Sequence, residues 1–468
     1  MLRLCCTEVV VTTIIIHLGE VLQVNKRKRI TSLLTVLLTV ALLLAACSST
    51  PADPSKKEPG NGDKEEVVTI KFLHWFNENS GNWSGLIEEF EKAHPGIKVE
   101  SMPLVDNVNA ADYLKKLDLM TASGEEMDVV AFHTSGEFAK RVKIGMMEPI
   151  DEFLAKDGVN VAEEYTLDPK IDGKYYGLPA KNVVPMVLLN KEHLDAANLP
   201  IPTDWTWEEF AEYSKKLTQG EGAAKRYGTY LRDSYVHYVV REGSLPDKNY
   251  LVTDDTYNGD NPVYRSALEL RNTLENVDKS AVPLSEAISQ KLDYRQQFFG
   301  GKVSMMVAGS WLISEWGNFT PDFTIAWAPL PRNAENKEVY IRPQGDIVGV
   351  AKKSANKEAA YKFVRWFTTK GIDVQGTSLS SWKQANTIES VDNIVAGTKR
   401  PEAIDKESLI KSIEKSVPAK TIIPPVYITE AEKAFIDEAQ LYLLGTQDID
   451  KTMANIKTKV EKIIETNK

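Results

Sequence analysis

Residues 68–99 read VTIKFLHWFNENSGNWSGLIEEFEKAHPGIKV, and this stretch decides the fold class. Apolar and polar residues alternate from Val68 to Phe72, which predicts a half-buried β-strand. Between Trp83 and Phe90 the apolar residues recur at i, i+3, i+4 and i+7, which predicts one face of a helix. Pro95-Gly96 ends that helix, and a second alternating stretch follows. A strand, a helix and a strand in so short a span predict a βαβ unit and an α/β fold whose parallel sheet is flanked by helices.

The same alternation of strand and helix patterns continues along the chain. Buried strands are predicted at Asp128–Phe132, Val183–Leu189, Val303–Val307 and Ile347–Ala351. Thr206 and Glu209 form a capping-box pair at the start of an amphipathic helix. Roughly 400 residues of α/β pattern exceed one comfortable hydrophobic core, so the sequence predicts two lobes.

The amino-terminal segment has the three-part plan of a secretory signal. Residues 26–29 are Lys-Arg-Lys-Arg, residues 30–44 are almost wholly apolar, and Leu44-Ala-Ala-Cys47 follows. The apolar run is shorter than the roughly 20 residues that a stable transmembrane helix needs. We therefore expect a signal peptide over residues 1–46, of which residues 1–24 represent an over-extended translation start.

The Leu-Ala-Ala-Cys ending resembles the lipobox of bacterial lipoproteins. The resemblance implies cleavage before Cys47 and acylation of its thiol, so that the protein is held on the outer face of the cell membrane. Residues 48–66 contain no large apolar side chain, which predicts a solvated tether after the lipidated cysteine.

Composition excludes several classes of function. The 468 residues carry a formal net charge of -10, which argues against nucleic acid as a partner. The three cysteines are Cys5, Cys6 and Cys47, so the body of the chain has no thiol for a disulfide, a cluster or a nucleophile. No phosphate loop, metalloprotease motif or nucleophile elbow occurs, and we expect neither enzymatic activity nor a cofactor nor a metal.

Two alternatives remain open on the residues alone. A glycoside hydrolase needs only two suitably spaced carboxylates, and the chain has 66 acidic residues. A ferric iron receptor can use neighbouring tyrosines, and Tyr175 and Tyr176 are adjacent, although they lie inside a probable turn.

Several segments resemble, in order and spacing, the family 1 extracellular solute-binding proteins, the sugar-type receptors of bacterial ABC importers, which include maltose-binding protein. The segments that carry the resemblance are FEKAHPGIKV (90–99), DGKYYGLP (172–179), LNKEHL (189–194), TWEEF (206–210), GKVSMM (301–306), GSW (309–311) and SANKEAA (354–360).

The resemblance implies a two-lobed fold of the periplasmic-binding-protein type II, with the lobes joined by hinge strands. The amino-terminal lobe would comprise residues 67–182 plus 330–375, and the carboxy-terminal lobe 187–326 plus 378–468. The chain would cross between lobes near Val184, Leu330 and Thr377. The implied partners are a small carbohydrate ligand and the permease subunits of an importer, and we expect a monomer.

A sugar receptor needs aromatic platforms and planar polar side chains at an interlobe cleft. The candidates lie next to strand ends or at the first crossing, and they are Trp75, Asn77, His133, Asn182, Trp311 and Asp346. The resemblance places Trp75, Asn77 and Trp311 at positions where relatives contact ligand. Core packing is the competing role for Trp75, and a turn-forming role competes for Asp346.

Two further aromatic residues complete the predicted set. Tyr230 and Trp382 are expected to line the side of the cleft that belongs to the carboxy-terminal lobe, together with Tyr235. The segment around Trp382 departs from the proline-containing pattern expected there.

Overall fold

The computed structural model describes residues 67–231, 245–247, 250–313 and 321–468. The predicted signal peptide, Cys47 and the tether lie outside these residues, as does Tyr235. Within them the chain forms thirteen strands. The strands are β1 (Val68–His74), β2 (Ile97–Pro103), β3 (Val129–Phe132), β4 (Gly177–Pro179), β5 (Pro185–Asn190), β6 (Tyr227–Tyr230), β7 (Val252–Thr253), β8 (Thr256–Tyr257), β9 (Val303–Gly309), β10 (Ile325–Pro329), β11 (Val339–Ile341), β12 (Ile347–Val350) and β13 (Ser416–Pro418).

Seventeen α-helices accompany these strands in the described part of the chain. Those before residue 300 are α1 (Glu78–Gly81), α2 (Trp83–Ala93), α3 (Ala110–Ser123), α4 (Ser135–Lys143), α5 (Asp151–Asp157), α6 (Val161–Glu164), α7 (Lys191–Ala196), α8 (Trp207–Leu217), α9 (Pro262–Asn272), α10 (Leu284–Ser289) and α11 (Tyr294–Phe299). The later ones are α12 (Lys357–Trp366), α13 (Ile372–Gln375), α14 (Thr387–Ala396), α15 (Lys406–Lys415), α16 (Ile428–Leu443) and α17 (Ile449–Asn467).

The first sheet confirms the βαβ unit predicted from residues 68–99. Its strand order is β2-β1-β3-β12-β4, and β1 is parallel to both β2 and β3. However, β12 runs antiparallel to β3 and to β4, so the expectation of a purely parallel sheet is wrong. The reason is that the chain returns from the second sheet at the end of the first sheet where β1 and β3 finish. Strand β12 begins at that end and therefore runs in the opposite direction.

The second sheet is also mixed, with the order β10-β5-β9-β6. Strand β5 is antiparallel to both of its neighbours, and only β6 and β9 are parallel. All residues of β5, β9 and β10 are buried, as is typical of strands covered by helices on both faces. The capping box predicted at Thr206 and Glu209 is present at the start of α8.

Each sheet lies in its own hydrophobic core. The first core contains Phe72, Val130 and Val348, and the second contains Leu188, Met306 and Trp327. A third cluster joins α9, α16 and α17 through Leu268, Phe435 and Val460. Separate cores on separate sheets are the physical basis for two bodies that can move relative to one another.

The chain passes between the two sheets three times. The first passage lies between Pro179 and Pro185, and the return lies between Pro329 and Ile347. A third passage lies between Ile372, which packs in the first core, and Val391, which packs in the second. Within it Leu379 packs in the second core and Trp382 against the first. The exact lobe boundaries given above stay a prediction.

Candidate functional site

One edge of the first sheet brings three predicted residues together. Strands β1 and β3 are parallel neighbours, so their carboxyl ends lie at the same edge, and antiparallel β12 begins there because Ile347 pairs with Phe132. Trp75 and His133 follow β1 and β3, and Asp346 precedes β12. Such an edge is where α/β proteins bind small molecules.

Trp75 and His133 are neighbours at this edge. The Trp75 ring lies 5.9 Å from the His133 ring in an edge-on arrangement, and 5.6 Å from the ring of Tyr113. Trp75 is only 5% exposed, so packing in the lobe accounts for most of its surface. Burial lowers the pKa of His133, which keeps the ring uncharged, and its buried Nδ1 has no hydrogen-bond partner among the described residues.

Asn77 has local structural contacts. Its Oδ1 accepts from the backbone N–H of Ser80 at 3.1 Å, which caps α1, and its Nδ2 donates to the carbonyl of Asp106 at 3.2 Å. These bonds hold the loop after β1 in place. A direct contact between Asn77 and a ligand stays a prediction.

Asp346 is paired with a lysine that sequence reasoning missed. Nζ of Lys181 lies 3.3 Å from Oδ2 of Asp346 and 4.0 Å from the centre of the Phe76 ring. The two side chains are only 8% and 14% exposed. The sequence feature that could have identified this lysine is its position as a single basic residue at the predicted crossing, two positions after the end of β4.

The passages between the sheets run side by side. Asn182 donates its backbone N–H to Leu379 O at 2.8 Å, and Val183 donates to Gln344 O at 2.9 Å. Asn182 therefore lies where all three passages meet, as predicted from the crossing near Val184. A β-carbon added to Gly345 would lie 1.7 Å from the carbonyl oxygen of Lys181, so two of the passages are in close backbone contact.

Two other polar side chains at these passages were also missed. Nε2 of Gln344 and Oγ1 of Thr377 are buried and have no hydrogen-bond partner within the described residues. Buried polar atoms without partners are rare in proteins, and they occur where a water or a ligand supplies the missing bond. No local sequence pattern marks either residue, because their position depends on how the passages are aligned.

Strand ends of the second sheet lie at the same passages. Pro185 at the start of β5 pairs with Gly309 at the end of β9, and Ser310 donates its backbone N–H to Val184 O at 2.9 Å. The half-buried Trp311 lies against Gly309, where an added β-carbon would be 2.0 Å from its ring. Glycine at position 309 thus leaves room for the indole to pack against the strand end.

Tyr230 lies on the side of the second lobe as expected, whereas Trp382 does not. Tyr230 is 6% exposed, belongs to the second core and donates its hydroxyl to Leu292 O at 3.2 Å. Trp382 packs against the first core and forms a β-bridge with Tyr165, so the expectation that it lines the second lobe's side is wrong. The reason is that the third passage turns back toward the first sheet after Leu379. Ligand contact by either residue stays a prediction.

The two strand edges lie at the same passages. Strand β4 ends at Pro179 and β5 begins at Pro185, and the five residues between them span at most roughly 18 Å. Trp75, His133 and Asp346 lie at the edge of the first sheet and Trp311 at the edge of the second, with the passages between them. We propose that these two edges are the walls of the ligand cleft. This arrangement offers aromatic faces and hydrogen-bonding groups to a small polar molecule.

A separate cavity of about 900 Å³ lies between α4, the β7–β8 hairpin and residues 420–426. None of the predicted site residues that the structure describes lines it, and its described lining contains no aromatic ring. We therefore locate the candidate site at the passages, where aromatic rings and polar atoms without partners occur together.

The described residues contain neither a metal-binding cluster nor a membrane-spanning helix. No group of three or more His, Cys, Asp or Glu side chains in them is arranged to hold a metal ion. None of the helices that the structure describes has both the length and the apolar character required to span a membrane.

Comparison with known proteins agrees with the architecture. Residues 77–373 match the sequence profile described as "Bacterial extracellular solute-binding protein". The chain is 24% identical over 313 residues to the maltotriose-binding protein of Pyrococcus abyssi, covering 65% of this chain and 64% of that protein, just under two thirds of its length. It is 23% identical over 364 residues to the multiple sugar-binding protein of Streptococcus mutans, covering 74% and 81%.

Solved structures share the fold. A sugar transporter from Rhizobium etli in an open conformation superimposes with a TM-score of 0.68 at 22% identity, covering 84% of this chain and 99% of that one. An ABC substrate-binding protein from Listeria monocytogenes in complex with cycloalternan also gives 0.68, at 20% identity, covering 86% and 100%. The predicted two-lobed fold class is thereby confirmed.

Proposed function

The chain belongs to the bacterial extracellular solute-binding proteins, and from that premise we propose that it captures a sugar or oligosaccharide between its lobes and delivers it to an ABC importer. The permease subunits of the importer are its protein partners in this proposal. The protein binds its ligand and releases it unchanged.

One observation carries the proposal: strand ends of the first sheet and strand ends of the second sheet lie at the same passages. Trp311 supplies an indole face, which packs well against the C–H face of a sugar ring. Asp346, Gln344 and Thr377 supply acceptors and donors for sugar hydroxyls. The relatives named above as maltotriose-binding and multiple sugar-binding proteins support a carbohydrate as the ligand.

A thermal-unfolding screen tests this function. The mature protein from Ser48 onward is mixed with neutral mono- and oligosaccharides, with amino acids and ferric ion as comparison ligands. A ligand at a hundred times its Kd stabilises the protein by about 2.7 kcal/mol. Stabilisation by a sugar supports the proposal, whereas stabilisation by ferric ion alone, or release of reducing sugar, would overturn it.

Trp311→Leu locates the binding site within the same assay. We expect roughly tenfold weaker binding because leucine has no aromatic face, which lowers the stabilisation at the same sugar concentration to about 1.4 kcal/mol. Trp366→Leu is the matched control, since this half-buried tryptophan packs on the first core through Phe90, away from the passages. Equal loss in both variants would contradict the site.

The membrane anchor is a separate part of the proposal. The Leu-Ala-Ala-Cys47 ending and the uncharacterised lipoprotein of Streptomyces antibioticus, 26% identical over 360 residues, support a lipid on Cys47. In bacterial cells Cys47→Ser should move the protein from the membrane fraction to the medium and abolish labelling by radioactive palmitate. Retention of the label in the variant would refute acylation at this cysteine.

A further inference from the structure

The Lys181–Asp346 pair determines the charge of the first wall of the cleft. The two residues come from two different passages, which are held together by the bond from the Ala180 backbone N–H to Asp346 O at 2.7 Å. The lysine ammonium also lies over the Phe76 ring, so one face of it is covered by an aromatic group. Both charges are largely removed from water, where an unpaired charge is strongly unfavourable.

The two histidines near the pair are neutral, and the charged groups near it are in ion pairs. His74 faces Lys181, and burial followed by the lysine charge lowers its pKa to about 3. His133 faces Asp346 and is kept neutral mainly by burial. Glu137 and Arg141, which also act on His133, form an ion pair with each other, and Arg141 has a second partner in Asp118 at 2.9 Å. Arg141 carries one positive charge against these two carboxylates, and the Asp118 side chain is 46% exposed, so water and salt screen its charge. Lys181 and Asp346 are thus the ion pair of this wall that lies at the passages.

The consequence is selection by charge. A lone buried carboxylate attracts an ammonium group, and a lone buried lysine attracts a carboxylate. When the two are paired, neither kind of ligand gains a net Coulombic attraction, and a charged ligand loses its hydration without compensation. Hydroxyl groups can still bond to the polar atoms of the pair.

We propose that Lys181 is a specificity residue that cancels the charge of Asp346 and so restricts this wall of the cleft to uncharged, hydroxyl-rich sugars. Amino sugars and uronates are excluded. The inference rests on the proposed function and adds the chemical class of its ligand.

The test compares three matched sets of oligosaccharides by calorimetry: neutral trisaccharides such as maltotriose and mannotriose, the glucosamine trimer, and trigalacturonate. The wild type is expected to bind within the neutral set at least tenfold more tightly than either charged set. Lys181→Met leaves Asp346 unpaired and should shift the preference at least tenfold toward the glucosamine trimer. Asp346→Asn should shift it toward trigalacturonate.

The double variant Lys181→Met/Asp346→Asn separates charge from structure. It removes both charges and is expected to restore the neutral preference, even if its overall affinity is lower. Lys92→Met is the surface control, because Lys92 pairs only with exposed Glu88 and Glu89 on α2 among the residues described, and its preferences should equal those of the wild type.

The outcomes distinguish this inference from the function it rests on. Binding of the wild type to no carbohydrate in any set would overturn the proposed function. Preference of the wild type for a charged set would overturn the neutral-ligand inference while a sugar receptor remained. Equal loss of all ligands in the two single variants, without a change in preference, would assign Lys181 a purely structural role and reject the proposal.

Discussion

At the scale of the residue, burial determines the chemistry of the cleft. His74 is 1% exposed, its Nε2 lies 2.8 Å from the hydroxyl of Ser101, and its pKa is lowered from 6.5 to about 3 by burial and, secondarily, by Lys181. The ring therefore stays neutral throughout the pH range in which the protein is expected to work. A protonated imidazole beside Lys181 would place two like charges behind the binding wall.

This pKa predicts how stability changes with pH. Below pH 6.5 the histidine of the unfolded chain takes up a proton, whereas the folded one does not until about pH 3, so acid favours unfolding. Lowering the pH from 7.5 to 5 should cost about 2 kcal/mol through His74 alone, and this stability returns as the pH rises above 6.5.

Urea unfolding of His74→Gln at several pH values checks this effect. Both His133 and His193 have lowered pKa values and contribute with the same sign, so we expect the variant to keep part of the acid sensitivity. Its loss of stability between pH 7.5 and 5 should be smaller than that of the wild type by about 2 kcal/mol. Identical losses in both proteins would mean that His74 is protonated in the fold.

At the scale of the element, the passages between the sheets depend on close backbone contact. Gly345 lies against the carbonyl of Lys181, and Gly177 in β4 likewise lies against Val348 O, where a β-carbon would be 2.7 Å away. These glycines have no room for a side chain, since the atoms they meet belong to backbone. The same contact brings Asp346 beside Lys181.

Gly345→Ala should therefore separate two passages. We expect a loss of about 1–3 kcal/mol in the free energy of unfolding, because the backbone must move to admit the methyl group. Gly85→Ala in α2 is the matched control, since its nearest neighbour would be Asn82 Oδ1 at 3.4 Å, and it should stabilise the protein by about 0.4–1 kcal/mol. Equal stability of Gly345→Ala and the control, measured by urea unfolding, would contradict the close approach.

At the scale of the whole molecule, two cores on two sheets are joined by the three passages. Such a design permits the lobes to open and close as bodies, with the passages as the hinge. A ligand favours the closed form only through contacts that exist when both walls reach it. We propose that Trp311 at the edge of the second sheet and Asp346 at the edge of the first make such contacts.

Closure can be measured by small-angle X-ray scattering. A sugar identified in the thermal screen should decrease the radius of gyration of the wild type at saturation, whereas a sugar that gives no stabilisation should leave it unchanged. Trp311→Leu should need a higher sugar concentration for the same decrease. An unchanged radius under saturating sugar would exclude closure by rigid-body motion.

Sequence periodicity by itself determined the local structure and much of the candidate site. The strand at Val68–His74, the helix at Trp83–Ala93 and the capping box at Thr206 follow from patterns within a few residues of each position. Trp75, His133 and Trp311 were predicted next to strand ends, and the structure places them there, because strand ends are recognisable in the sequence. That they border a ligand cleft stays a prediction.

Only the tertiary structure decided how distant segments meet. Three features depend on the alignment of the passages. They are the antiparallel direction of β12, the turn that returns Trp382 to the first core, and the pairing of Lys181 with Asp346. That alignment is set by backbone contacts between segments far apart in the chain, such as Gly345 against Lys181. Local patterns record which face of an element is buried, but they carry no information about which distant residue lies opposite.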